Sequence, residues 1–204
     1  MPLKFQHKLK NSIQNKQYEL FSSTENFESD FISDNNIKLT RDDILNWRNK
    51  IHEHQSKIKR DLNSSFLQES LIPSQENNLK KINPFLLTKF SINFWRSNKS
   101  VHSGPAMYFV FDEIYNSEII LYIGETNSAD KRWKGDHDCK IYINNYKELL
   151  AENNIKNNLD IRFFLDVPKQ VKFRRKLEQQ LIYLWLPPFN KETRGRWSTT
   201  FTTK

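Results

Sequence analysis

Two short apolar runs, 106–111 and 119–124, flank a polar segment at 112–117. Both runs are rich in β-branched and aromatic residues, so they read as an antiparallel hairpin turning at 112–117. Gly124 is expected to end the second strand, and a polar segment then leads into a helix carrying Arg132. Tyr142, Tyr146, Leu149 and Leu150 recur at helical spacing over 142–153. Over 159–167, Leu159, Ile161, Phe163, Leu165 and Val167 alternate with Asp160, Arg162 and Asp166. That is the pattern of a half-buried strand, the third of a small sheet. Pro168 suits the first turn of a following helix, which must stop before Pro187-Pro188.

The clearest element of the N-terminal half begins at Thr40, where Asp43 three residues on makes a capping-box pattern. Ile44, Trp47, Ile51 and Ile58 form an apolar stripe to about Arg60, with Arg41, Arg48, Lys50, Lys57 and Lys59 opposite. A helix docked on a core with a solvated basic face is the favoured reading, ahead of one that touches a DNA backbone. A short amphipathic helix fits 24–32, a polar connection 67–80, a buried apolar stretch 83–95 and a linker 96–105. The expected architecture is α/β of the α+β kind. A three-stranded antiparallel sheet flanked by helices fills 101–204, and a mainly helical extension of unknown role fills 1–100.

Composition narrows the class. With 37% hydrophobic and 13% aromatic residues, the chain can build a core, which argues against disorder. The formal charge of +8 favours polyanionic partners. The excess is spread over both halves, +5 in 1–100 (16 basic against 11 acidic) and +3 in 101–204 (16 against 13). One cysteine, Cys139, excludes an internal disulfide and a Cys-rich zinc site. No run approaches the ~18 apolar residues of a membrane span, and the N-terminus has no apolar signal-peptide core. A cytoplasmic protein with no membrane partner is therefore expected.

The segment around the hairpin resembles the GIY-YIG nuclease superfamily. Tyr122-Ile123-Gly124 stands as the second signature motif, and Ala106-Met107-Tyr108 stands where the first has Gly-Ile-Tyr. Arg132 follows Tyr122 by ten residues, Glu178 lies in a later helix, and Asn190 follows Glu178 by twelve. The resemblance covers about residues 104–192. Ala106 departs from the motif glycine, and His137, five residues after Arg132, stands near where the family often has a His, Lys or Tyr.

The resemblance implies an endonuclease that hydrolyses DNA with Mg²⁺ (or Mn²⁺), leaving 5′-phosphate and 3′-hydroxyl ends. In that reading Glu178 is the metal ligand. One carboxylate suffices where waters and phosphate oxygens complete the shell. Arg132 neutralises the scissile phosphate with its fork of donors. Tyr108 is assigned as general base and Tyr122 as the orienting phenol, with His137 as the other candidate base because its ordinary pKa is near ~6.5. Asn190 holds the geometry on the metal side. Lys131, Lys134, Lys172, Arg174, Arg175, Arg194 and Arg196 are candidate nucleic-acid contacts. Outside that ordered set, each residue would read as an ordinary surface or packing side chain. A nuclease-like fold that holds nucleic acid without cutting is the alternative.

Overall fold

The computed structural model describes residues 39–66, 82–96, 103–114, 117–134 and 138–198. The helix expected at 24–32, the connection at 67–80 and His137 lie outside the described residues.

Helix α1 (Arg41–Phe66) starts on the capping box expected from sequence. The Thr40 hydroxyl accepts from the Asp43 N–H at 3.2 Å, and Asp43 accepts from the Thr40 N–H at 3.0 Å. Its buried stripe is Ile44, Arg48, Ile51, Gln55 and Leu62. The helical period is as read, but two polar residues lie within it. Arg48 is 3% exposed, not on the solvated face where the sequence pattern set it.

After a 3₁₀ turn, the short strand β1 (Phe90–Ser91) joins a sheet with β2 (Ala106–Ile114), β3 (Ser117–Thr126) and β4 (Leu159–Phe164). The order is β1-β4-β2-β3, and every pairing is antiparallel. The sheet thus has four strands, not the expected three. The added one comes from the 83–95 stretch, which is only partly buried, with Leu86 82% exposed. A one-turn helix α2 (Ala129–Arg132), a long helix α3 (Asp138–Glu152) and helix α4 (Val171–Trp185) complete the fold. Leu186 closes α4 in the left-handed conformation (φ 48°) just before Pro187.

Both sheet faces are covered. Ala106, Tyr108 and Val110 face a layer with Ile44, Ile51 and α3 residues Tyr142, Tyr146 and Leu150. Met107, Phe109 and Phe111 face Leu62, Ile82 and α4 residues Leu181, Ile182 and Trp185. Strand β4 is therefore not half-buried as its alternation suggested. Arg162 has no exposure, stacks its guanidinium 3.8 Å from the Phe111 ring centre, and pairs with Asp160 at 2.7 Å and Glu118 at 2.6 Å.

The hairpin strands also run further than expected, into the segment read as a turn. Asp112 is buried within β2, where three donors meet its carboxylate although burial still pushes its pKa up. Arg48 Nη2 and the Tyr146 hydroxyl each donate to it at 2.7 Å, and the Asn158 N–H donates at 3.0 Å. The described residues from 39 to 198 belong to one compact unit. Among the described residues, no helix is long and apolar enough to cross a membrane.

Candidate active site

Strand β3 carries an irregularity that sets the site. Val110 pairs with Tyr122 and Phe111 with Ile120, so Leu121 is an extra residue in β3. This bulge puts Leu121 and Tyr122 on the same face as Tyr108, while Ile120 and Ile123 face the other layer. The Tyr108 and Tyr122 rings stack with centres 5.9 Å apart and an interplanar angle of 21°. Gly124 pairs with Tyr108 across the ladder. A Cβ there would fall inside 3.0 Å of three atoms of the Tyr108 ring and hydroxyl, so the glycine makes room for the phenol. It does not end the strand, which continues to Thr126.

Tyr108 is fully buried, with Trp133 edge-on at 5.8 Å. Its hydroxyl accepts from Arg132 Nε at 3.4 Å. Arg132 thereby leans on a phenol fixed in the core, at the end of a helix too short to hold it alone. Burial pushes both phenol pKa values above their ordinary range, and the neighbouring Tyr108 pushes that of Tyr122 further.

Glu178 reaches this strand from α4. Its Oε1 accepts from the Glu125 N–H at 3.0 Å, one residue past Gly124. Burial first, then the charges of Glu125 and Glu192, push its carboxyl up to about 7, against the Glu125 N–H and Arg175, which act the other way. Asn190 holds the strand from its outer edge. Its amide donates to the Ile123 carbonyl at 2.8 Å and accepts from the Ile123 N–H at 3.0 Å. Three residues earlier Gln55 of α1 does the same. It accepts from the Ile120 N–H at 2.7 Å and donates to the Ile120 carbonyl at 3.0 Å. The Phe189 N–H takes the Leu121 carbonyl between them at 3.0 Å. The bulge is thus clamped at both ends.

Tyr122, Arg132, Glu178 and Asn190 line one cleft of about 450 Å³, with Arg175, Lys191 and Glu192 also in its wall. Tyr108 does not line it; it lies behind Tyr122 and Arg132. Lys131, Lys134 and Lys172 are exposed but outside the lining. Arg194 is half-buried, and exposed Arg196 has its guanidinium 6.0 Å from the Trp197 ring centre.

Arg174 departs from its expected place in a phosphate track. It has no exposure and donates to Glu125 at 2.7 Å, to the Pro168 and Lys169 carbonyls at 3.1 Å, and to the Asn127 side chain. It fixes the strand end that receives Glu178. Cys139 lines the cleft but is buried, and its thiol is pushed well above the ordinary value.

Sequence reasoning missed Glu125, which lies in β3 beyond Gly124, where the sequence reading expected the strand to have ended. It also missed Gln55 and Arg48, although their spacing from Ile44 and Ile51 places them on the buried side of α1. Among the described residues, no three His, Cys, Asp or Glu side chains group to hold a metal ion. No family model, curated protein or solved structure matches this chain.

Proposed function

We propose that this cleft is the active site of a Mg²⁺-dependent endonuclease of the GIY-YIG type, hydrolysing DNA to 5′-phosphate and 3′-hydroxyl ends. The observation that carries the reading is convergence. Tyr122, Arg132, Glu178 and Asn190 come from a strand, a one-turn helix, a long helix and a loop, and they meet in one cleft. These are four of the six residues the resemblance singled out.

The donor set suits a single-carboxylate Mg²⁺ (or Mn²⁺) site. Glu178 has one oxygen held by a backbone N–H, which fixes the carboxylate and leaves Oε2 for the cation. Its carboxyl is raised first by burial and then by Glu125 and Glu192, and a divalent ion at the carboxylate would favour its charged form. When bound, such an ion neutralises phosphate charge and acidifies a coordinated water.

The protein's own groups then divide the work. Arg132, backed by Tyr108, grips a non-bridging phosphate oxygen. Tyr122, the phenol on the cleft wall, orients the attacking water as a hydrogen-bonding hydroxyl. Tyr122 thereby keeps the orienting role first assigned to it, whereas Tyr108, sealed from the cleft, gives up that of general base and holds Arg132 instead. Arg175 and Lys191 add positive charge at the rim.

The alternative, a module that binds without cutting, has one observation on its side: both phenols are held protonated. The departure at Ala106 does not favour it, since that side chain is buried in the core opposite Thr126. The test is Glu178→Ala on labelled duplex DNA with Mg²⁺. Cleavage is expected to fall by at least a thousandfold while binding measured in EDTA is kept. Full cleavage by that variant would sink the assignment.

A further inference from the structure

A second cavity of about 250 Å³ lies beside the cleft. Three cations line it, Arg96, Lys140 and Lys147, together with the amides of Asn93 and Asn144 and the apolar side chains of Ile92, Trp133 and Ile143, and no carboxylate is among its described lining residues. Lys140, Asn144 and Lys147 are spaced i, i+4, i+7 on α3, so they share one helix face. Arg96 comes from the 3₁₀ turn after β1, in the N-terminal half of the chain. Trp133, buried to 1% exposure, is also among the residues that line the cavity. Adjacent residues line the two cavities: Arg132 and Cys139 the cleft, Trp133 and Lys140 the second cavity. The two therefore share a wall.

We propose that this second cavity is a phosphate-binding subsite for the DNA strand whose scissile phosphate lies at Arg132. This rests on the nuclease reading for its orientation, but its own evidence is a concave lining that gathers three cations from two elements. A strand crossing the shared wall meets Arg96, Lys140 and Lys147, contacts that position the strand without reading its sequence. The N-terminal half contributes to target binding through Arg96.

The experiment measures binding of a fluorescein-labelled 20-base-pair duplex by anisotropy in EDTA, across a KCl series. The proteins are wild type, Lys140→Gln/Lys147→Gln and Arg96→Gln. A control, Lys50→Gln/Lys57→Gln, removes equal charge from the exposed face of α1. The α3 double variant is expected to lower the slope of log affinity against log salt by about 2, at roughly 0.9 per phosphate contact. Affinity at 100 mM KCl should fall on the order of tenfold, with about half that slope loss for Arg96→Gln and none for the control. An unchanged slope in the α3 variant, an equal loss in the control, or no binding of DNA by wild type would overturn the proposal. Loss of slope in a protein that never cleaves DNA would uphold the subsite and remove the nuclease reading instead.

Discussion

Gly124 and Tyr108 show how a single missing carbon shapes the site. The phenol ring occupies the space where any other residue would carry its Cβ. Gly124→Ala is expected to destabilise the fold by about 1–3 kcal/mol, the range for overpacking a filled core. Combining it with Tyr108→Val should relieve the clash. Denaturant unfolding of the four proteins should then show a coupling of at least about 1 kcal/mol, whereas additive effects would mean that the ring does not fill the glycine's space.

Glu178 is the second residue with a specific prediction. Its carboxyl is pushed from an ordinary 4.5 up to about 7 in the folded protein. Between those values the folded protein keeps a proton that the unfolded chain releases, so this group's contribution to stability is present at low pH and lost as pH rises through 7. Glu178→Gln has no such proton. Relative to wild type, the variant should gain about 1–3 kcal/mol between pH 5 and pH 8, a range discounted for partial solvent access. Urea titrations at the two pH values check this, and a constant difference would contradict it. Cleavage should rise with pH through about 7 at low Mg²⁺, with the midpoint moving down as Mg²⁺ increases, because the ion displaces the proton.

At the scale of elements, the bulge in β3 does most to shape the candidate site and was the least legible in sequence. Apolar and polar periodicity found the hairpin, β4, α3, α4 and the start of α1. It cannot show a bulge, because an extra strand residue leaves alternation nearly intact on either side. The same pattern gave Asp112 to a turn, since it opens the polar segment 112–117 between the two apolar runs. Only the fold brings Arg48, Tyr146 and Asn158 to it.

Those contacts make α1 part of the same fold as the sheet. A fragment beginning at residue 101 would strip Gln55 from the edge of β3 and leave Asp112 without its arginine. Breaking a buried ion pair costs about 3–5 kcal/mol, and an uncapped edge strand invites association. The fragment is expected to aggregate on size-exclusion chromatography. A monomeric fragment with a cooperative unfolding transition would show that α1 is dispensable.

Across the whole molecule, charge and site were legible to different degrees. The +8 excess pointed to a polyanion but not to where it would sit. Of the basic residues chosen from the α4 run, Arg174 is structural while Arg175 faces the cleft, one residue apart, because successive helix positions point about 100° apart. The second basic cavity was invisible in sequence, since its cations are scattered from Arg96 to Lys147 and no local run announces it. The ordered tyrosine, arginine, glutamate and asparagine were the strongest sequence signal, and their convergence is what the functional reading depends on.

The most direct test is to incubate purified protein with supercoiled plasmid in Mg²⁺, beside an EDTA control and a Glu178→Gln preparation. Nicked or linear plasmid in the wild-type Mg²⁺ lane alone is the expected result. Equal cleavage by the variant, or intact plasmid in every lane, would contradict a Mg²⁺-dependent DNA endonuclease acting through Glu178.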